Sequence, residues 1–392
     1  MKWEYSRIPI GNLVEQVKKW NPQTDKDNQV ITYLDIASVN RESKKVEESI
    51  EIQSHEAPSR ARQLVRKDDV LVSTVRPNLN AVAYLEEEFD GATASTGFCV
   101  LRAKSDKLDS RYLYYWVRTT YFIDDMVRES TGASYPAVSD SIIKKNEIPL
   151  PPLEEQKRIA AILDKADRIR RKRQEAIRLT EELGRSIFLD MFGDPVTNPK
   201  GWEMVTIGDI VTDVRDGPHV SPKYSDKGIP ILSTRNIRPG QLLIDDIKHI
   251  SNETYLNLVR KFKPQLGDVL LTKGGTTGFA KVVDWKWPFA IWVHLACLRP
   301  TSRVLPEFLE AALNSPNCYS QSQKYTHGIA NRDLGLKRII KIKLSLPPID
   351  LQEKYCILNK RIADQKIKNA TLLEESENLF NSLLQRAFRR EL

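Results

Sequence analysis

Five histidines, His55, His219, His249, His294 and His327, are the natural place to look for metal or acid–base chemistry. None forms an HExxH pair or stands with cysteine or aspartate at metal-ligand spacing. The stretch Gly274-Gly275-Thr276-Thr277-Gly278-Phe279 looks superficially like a phosphate loop. It lacks the GK[ST] ending, and Ala280-Lys281-Val282-Val283 after it reads as strand rather than helix, so a glycine-rich turn between strands accounts for it better. The Asn-Pro-Pro-aromatic signature of adenine-methylating enzymes is missing; Asn21-Pro22-Gln23 and Asn198-Pro199-Lys200 do not match it. No nucleophile–base pairing stands out. The four cysteines, Cys99, Cys297, Cys318 and Cys356, contain no CxxC pair, which argues against structural zinc and fits a reducing cytoplasm. The chain is therefore expected to be non-catalytic and to bring no cofactor or metal of its own.

Side chains suited to nucleic acid are more numerous. Thr234-Arg235-Asn236-Ile237-Arg238 puts Arg235, Arg238 and Asn236 in one expected loop, the side-chain types that pair bidentately with guanine and adenine edges. Arg76 and Asn78 in Val75-Arg76-Pro77-Asn78 make a shorter version in the first half. Lys273, Thr276 and Thr277 at the glycine turn extend the set, as do Lys324, Tyr325, His327 and Arg332, with Asn331 beside the last. Each alone also fits an ordinary solvated surface. The net charge of +8 makes an anionic partner plausible without proving one. The mid-helix run Arg170-Arg171-Lys172-Arg173 reads as a solvated face or a phosphate contact.

These residues need elements to hold them, and two stretches organise the chain. Ile148 to Phe192 runs through Pro151-Pro152-Leu153-Glu154-Glu155-Gln156, and Leu344 to Phe388 through Pro347-Pro348-Ile349-Asp350-Leu351-Gln352. Pro151 and Pro347, Gln156 and Gln352, and Ser186 and Ser382 each stand 196 residues apart. Proline suits a first helical position, and the acidic residues after it complement the helix dipole. Ile159, Ile162, Ala166, Ile169, Arg173, Ala176, Thr180, Leu183 and Ile187 recur at alternating steps of three and four, and 196 residues on Tyr355, Leu358, Ile362, Gln365, Asn369, Leu372, Ser376, Leu379 and Leu383 answer them. That is a heptad seam. Each helix, about 36 residues and so roughly 54 Å long, is predicted to bury its seam against the other, antiparallel. Leu163, Ile177, Phe188, Leu373, Phe380 and Leu384 flank the stripe, a surplus that suggests contact with other chains.

The predicted architecture is α+β: two globular regions, 1–147 and 195–343, separated by two long antiparallel coiled-coil helices, 148–194 and 344–392, in a pseudo-twofold tandem repeat. The runs Val30-Ile31-Thr32-Tyr33-Leu34 and Val70-Leu71-Val72-Ser73-Thr74-Val75 read as strands, Ala92 to Leu101 as a third strand region, and Arg111 to Arg128 as helix. Echoes across the halves include Trp3-Glu4 with Trp202-Glu203, Asp69-Val70-Leu71 with Asp268-Val269-Leu270, and Thr131-Gly132 with His327-Gly328. Offsets here drift from 196 to 199, so the helices are the better matched part. No apolar run reaches membrane-spanning length and no signal peptide is recognised, so a soluble, cytoplasmic protein is expected.

The Leu-Pro-Pro-Leu-Glu-Glu-Gln opening, its long helix, the second Leu-Pro-Pro-Ile-Asp-Leu-Gln copy and the divergent regions between them resemble the specificity subunits of type I restriction-modification systems. The Gly267-Asp268-Val269-Leu270-Leu271 run with its glycine turn is similar to that family's target-recognition domains. The second opening departs from the first, with Asp350-Leu351 for Glu154-Glu155. The resemblance implies that each globular region reads half of a split, asymmetric double-stranded DNA sequence while the helices fix the gap. It also implies two modification subunits, carrying S-adenosylmethionine and the methylating chemistry, docked on the helices, and restriction subunits joining them. The competing expectations are a coiled-coil adaptor joining two protein-binding domains without DNA contact, and a nuclease or methyltransferase in its own right.

Overall fold

A computed structural model describes residues 5–24, 29–132, 134–260, 262–328, 332–389 and 391–392. The Trp3-Glu4 side of the first echo and Asn331 lie outside the described residues. The chain divides into two compact units, Met1–Ile177 with Lys368–Leu392, and Arg178–Ile367. Each contains one globular head and a length of both long helices.

In the first unit an antiparallel sheet runs in the order Val14–Glu15, Phe98–Ala103, Val70–Ser73, Val82–Tyr84. A second sheet runs Ile50–Gln53, Val30–Leu34, Thr93–Ser95, Ala61–Leu64, its inner pair parallel. The run Val70–Ser73 is apolar and wholly buried because both of its faces are covered. Val70 and Val72 enter the core shared with the helices, while Leu71 enters a separate core between the sheets. The region read as one helix from Arg111 to Arg128 is two, Ser110–Trp116 and Thr120–Arg128, broken where the Thr119 hydroxyl caps the second by accepting from Phe122 N.

The second unit repeats this plan. Its sheets run Val211–Asp216, Leu295–Pro300, Val269–Thr272, Ala280–Val282, and Tyr224–Ser225, Lys248–Ile250, Ile229–Leu232, Ala290–Ile291, the last pair parallel. Val269 and Leu271 face one core and Leu270 the other. A buried carboxylate–guanidinium fork also recurs. Arg102 Nε and Nη2 reach Asp69 at 2.8 and 2.7 Å, and Arg299 Nε and Nη2 reach Asp268 at 2.9 and 2.8 Å. Each fork pins the central strand of its head to the neighbouring one.

The two long helices are Leu153–Phe192 and Ile349–Ala387. The glutamine in each opening explains why the motif recurs. Gln156 Oε1 accepts from Asp109 N at 2.9 Å, and its Nε2 donates to Lys107 O at 3.0 Å and Pro151 O at 2.9 Å. Gln352 does the same with Leu305 N at 2.8 Å, Arg303 O at 3.2 Å and Pro347 O at 2.8 Å. Both side chains are buried, so each helix begins locked to its head through an amide with all its needs met.

Within each unit the two helices pack antiparallel. In the first, Arg158 Nη2 donates to Leu392 O at 3.1 Å, and Arg170 lies over the Phe380 ring at 5.5 Å. In the second, Lys366 meets Glu181 at 2.6 Å, and the Phe188 ring lies 5.6 Å from that of Tyr355. Packing on a head and packing on the other helix turn out not to be alternatives. Ile159, Ala160 and Leu163 share the first core with Phe380, Leu384 and Phe388. Phe388 sits 4.9 Å from Tyr112 and 5.1 Å from Trp116. In the second unit Phe192, the equivalent residue, sits 5.0 Å from Phe308 and 5.1 Å from Tyr355.

The heptad reading misplaces part of the seam. Ile169, Leu183 and Leu379 are 41, 52 and 52 % exposed and do not fill the contact. Ile159 and Ala166 are buried, while Ile162, Ile187, Leu358, Ile362, Leu372 and Leu383 are half-buried. Leu163, Phe380 and Leu384, expected only as flankers, are buried instead. The cause is helical period: a straight helix drifts about 20° per heptad against a 3.5-residue repeat. Each helix also changes partner along its length, from head to helix, so no single stripe faces inward throughout.

Candidate nucleic-acid interface

In the second unit the inner strand ends at Thr272, and the chain leaves it through the glycine turn. Lys273 N donates to His294 O at 2.8 Å. A Cβ on Gly274 would come within 2.2 Å of His294 Nδ1, so only glycine fits there. Gly275 N donates to Arg332 O at 2.9 Å, Leu334 N donates to Lys273 O at 2.7 Å, and His327 and Asp333 exchange backbone bonds at 3.0 and 2.9 Å. The glycine turn and the segment around 327 and 332–333 therefore form one surface, on which Thr276, Lys324, His327 and Arg332 are exposed. The turn returns into the strand Ala280–Val282, with no helix to complete a phosphate loop.

Two expected contacts at this surface, Lys273 and Thr277, are buried. Lys273 is 5 % exposed, its ammonium held by Asp216 at 3.3 Å, Asp333 at 3.2 Å and Val293 O at 3.2 Å. A cation so paired is a structural tie rather than a free contact for DNA. Thr277 is buried; its hydroxyl accepts from that of Thr326 at 3.0 Å and its carbonyl from Gln323 Nε2 at 2.9 Å. Tyr325 is half-buried against the core shared with the helices.

Arg235 and Asn236 occupy the one-turn helix Thr234–Asn236, and their fates differ. The Arg235 side chain is largely exposed, with Asp246 at 3.7 Å. Asn236 is 2 % exposed. Its Oδ1 accepts from Ser233 N at 2.9 Å and its Nδ2 donates to Leu243 O at 3.2 Å, so it caps the turn and is not available to a base. Arg235 lines a pocket of about 160 Å³ with Tyr224, Lys248 and Trp292. Lys248 lies over the Tyr224 ring at 4.5 Å, and Trp292 meets the His294 ring at 5.1 Å. The pocket and the glycine-turn surface are thus joined through Trp292 and His294. Sequence reasoning missed Tyr224, Lys248 and Trp292, whose one signal was an aromatic-and-basic composition spread over three strand ends. Arg238 is exposed on the short hairpin whose Gly240 N donates to Ala280 O at 3.1 Å.

The first unit builds the same loop pair with other residues. Arg76 N donates to Pro136 O at 2.7 Å, as Gly275 N does to Arg332 O, and Val138 N donates to Thr74 O at 2.9 Å, as Leu334 N does to Lys273 O. Arg76 is left-handed with φ +50°, and its guanidinium lies over the exposed Tyr135 ring at 4.7 Å. Asn78 is exposed beside it. Tyr135 was also missed; an aromatic in a Gly/Ser/Pro stretch was its only signal. Among the described residues no group of three or more His, Cys, Asp and Glu is placed to hold a metal ion, and no helix is long and apolar enough to cross a membrane.

The family model for the type I restriction modification DNA specificity domain matches residues 2–179 and again 199–375. The type I restriction enzyme MjaVIII specificity subunit of Methanocaldococcus jannaschii is 22 % identical over 97 % of this chain and 92 % of its own length. The EcoBI specificity subunit of Escherichia coli is 23 % identical over 84 % of this chain and 74 % of its own. A solved chain from work on complex assembly and conformational transition of the type I R-M system superposes with a TM-score of 0.61 at 26 % identity, covering 100 % of both chains.

Proposed function

The chain belongs to the type I restriction modification DNA specificity family, carrying its domain twice, and on that premise we propose that each head reads one half of a split duplex sequence. The observation that carries this is the repeated loop pair: one scaffold in both units, with Arg76, Asn78 and Tyr135 on the loops of the first and Thr276, His327 and Arg332 on the loops of the second. Shared backbone with unlike side chains is what two different half-sites require. Arg235, Arg238, Lys248 and Trp292 extend the reading surface of the second head.

The long helices set the unread gap. Half-sites on the same groove face recur about every 34–36 Å, and a helix of 40 residues is roughly 60 Å long. They also receive the modification subunits. Leu183 and Leu379 stand at equivalent places in the repeat, each about half exposed in its own unit. Two like surfaces suit two copies of one partner, with restriction subunits joining the assembly. The methyl-transfer and cleavage chemistry then belongs to those partners, and this chain supplies the address.

Electrophoretic shifts with a split-site duplex, with and without the modification subunit, test the reading. Salt-sensitive, sequence-dependent retention is expected when both proteins are present. Absence of any DNA binding in the full complex would leave an adaptor role in its place, and methylation by this chain alone would make it an enzyme. Methylome sequencing of a host carrying the system identifies the two half-sites.

A further inference from the structure

The two heads differ at one edge of their second sheet. In the first unit Thr93–Ser95 lies between two neighbours, parallel Val30–Leu34 and antiparallel Ala61–Leu64. Val65 N extends the outer pairing by donating to Ala92 O at 2.9 Å, and Trp20 N donates to Arg62 O from the strand's other side at 2.9 Å. In the second unit the equivalent strand, Ala290–Ile291, pairs with Ile229–Leu232 and ends the sheet. Among the described residues no strand pairs with its outer edge.

The cause lies in two prolines. Arg66 N and Gln265 N donate to the fork carboxylates Asp69 and Asp268 at 2.8 and 2.9 Å, and Arg102 and Arg299 donate to Leu64 O and Lys263 O at 3.2 and 3.0 Å. These bonds align the heads here and set Pro264 where Val65 stands. Asp213 pairs with Arg299 as Glu15 pairs with Arg102, which sets Pro218 where Trp20 stands. Neither proline has an N–H to give to a ladder, and Arg260, Phe262 and Lys263 belong to no strand. What is left is a half-open cavity of about 740 Å³, walled by Phe262 and Pro264, by Gly217 and Pro218, and by Ala290 and Ile291. Pockets that bury a ligand have roughly 300–1,000 Å³. Trp292 N donates inward to Leu232 O at 2.9 Å, so alternation along a parallel strand turns the backbone groups of Phe289 and Ile291 outward. Gly217 closes off the Ile291 carbonyl, where a Cβ would fall 2.1 Å from the oxygen. Phe289 O, the counterpart of Ala92 O, and the Ile291 N–H remain as the edge.

We propose that this edge is a docking site for an extended, acidic peptide segment of a partner protein, laid antiparallel beside Ala290–Ile291 as Ala61–Leu64 lies beside Thr93–Ser95. Main-chain bonds give such a site its affinity and the surrounding side chains its selectivity. The charge of the rim selects the acidic segment. The Arg215 and His219 side chains are 61 and 77 % exposed, and Arg260 is exposed as well. Arg215 meets Asp213 at 2.9 Å, a surface pairing of little strength. Asp216, the carboxylate in the wall, is already matched by the buried Lys273 ammonium at 3.3 Å. A sugar-phosphate backbone is anionic too, but it has no N–H to offer Phe289 O, and the occupant of the same place in the first head is polypeptide. The site goes beyond the reading of DNA and does not depend on it.

The probe is a labelled peptide of about ten residues in which glutamate alternates with valine and threonine, titrated into the full chain by fluorescence anisotropy. A lysine-for-glutamate peptide and a peptide with proline at its centre are the controls. The glutamate peptide should bind, and both controls should bind at least tenfold more weakly. An exposed ion pair is worth up to about fivefold, so Arg215→Gln with Arg260→Gln should weaken binding by roughly tenfold. Hydrogen exchange over residues 289–293 should slow in the bound chain and stay unchanged with the proline peptide. No binding at millimolar peptide, equal binding of the glutamate and lysine peptides, or binding without protection over 289–293 would overturn the proposal. So would a double variant that loses a labelled duplex but keeps the peptide, since the rim would then serve DNA. The peptide arm contains no DNA, so its failure leaves the reading of half-sites standing.

Discussion

Replacing Gln156 with leucine tests how the long helix is attached to its head. Leucine has nearly the same volume and fills the space, but it strands three backbone groups that the amide now serves: Asp109 N, Lys107 O and Pro151 O. An unsatisfied buried polar group costs about 1–3 kcal/mol. The Pro151 bond is fully buried and the other two are only partly so, so water recovers some of the loss there. Burying an apolar side chain returns roughly 1–2 kcal/mol. The net expectation is a loss of about 2–4 kcal/mol in the first unit, a large share of an ordinary domain's roughly 5–15 kcal/mol. Gln156→Glu is worse at neutral pH, since an ionised carboxylate would face two carbonyl oxygens. Because a chain of two units need not unfold in one step, the suitable assay is native-state hydrogen exchange read by mass spectrometry. Protection should fall around residues 105–116 and the first turns of the helix, and Gln352→Leu should do the same around 301–313. A change below about 0.5 kcal/mol, no more than an ordinary surface substitution produces, would show that the motif has another purpose.

Arg76→Gly should stabilise the first unit by about 1 kcal/mol, because a non-glycine left-handed residue is strained, while weakening or relaxing DNA reading by that head; paired thermal melts and methylome sequencing check both. Arg235→Ala should relax the sequence read by the second head at unchanged stability, whereas Asn236→Ala should cost roughly 1–2 kcal/mol through its lost cap; unfolding curves that fail to separate the two would overturn the burial argument. Asp167→Asn should cost about 3–5 kcal/mol at neutral pH by leaving the guanidiniums of Arg118, Arg170 and Arg171 without their carboxylate. Burial alone would raise the Asp167 carboxyl, but Arg118, Arg171 and Arg170 outweigh it and hold the group low in the folded state, so its contribution is complete above the unfolded value near 3.9 and is lost as pH falls through the lower folded one; the gap between variant and wild type should narrow over that acid window, and a gap independent of pH would refute the assignment. A heptad inserted after Arg173 together with one after Ser376 keeps the antiparallel partners in register and adds about 10 Å, close to three base pairs; a methylation motif with the old gap would end the ruler idea.

The duplication was legible because 196-residue spacing of Pro151, Gln156 and Ser186 with their counterparts needs no knowledge of contacts. The helices followed from the same residues. What Gln156 does was hidden, since its partners Lys107 and Asp109 lie far upstream and no periodicity links them to it. The seam was half legible. Ile159 and Ala166 satisfy both a heptad and a 3.6-residue period, but by Ile169 and Leu183 the two have diverged, and the sequence carries no mark of where a helix exchanges a head for another helix. At the candidate interface, exposed Arg235 and buried Asn236 are adjacent and equally polar. Polarity distinguishes a capping amide from a reading amide only once the carbonyl of Leu243 is known to face it. Lys273 was misread for a related reason: its carboxylate partners Asp216 and Asp333 arrive from separate segments, which composition cannot foresee.

The distribution of sameness between the two units bears on how such a protein changes its address. The Asp69–Arg102 and Asp268–Arg299 forks, the Gln156 and Gln352 locks and the order of the strands in the sheet that carries each fork are common to both, and the carboxylates and amides among them are buried, where a substitution destabilises by several kcal/mol. The differing residues, Arg76 against Gly275 or Thr131 against His327, sit on loops whose backbone bonds are made by peptide groups and hold whatever the side chain is. Substitution there changes stability little, by about 1 kcal/mol at the left-handed position, while altering every group presented outward. Arg76 sharpens the point: glycine at the equivalent position of the second head adopts the same left-handed backbone without strain, so arginine is retained against a local cost, stacked on an exposed tyrosine. A strained conformation that a smaller residue would adopt more easily is the pattern expected of a functional position, and the Arg76→Gly variant decides whether Arg76 is one.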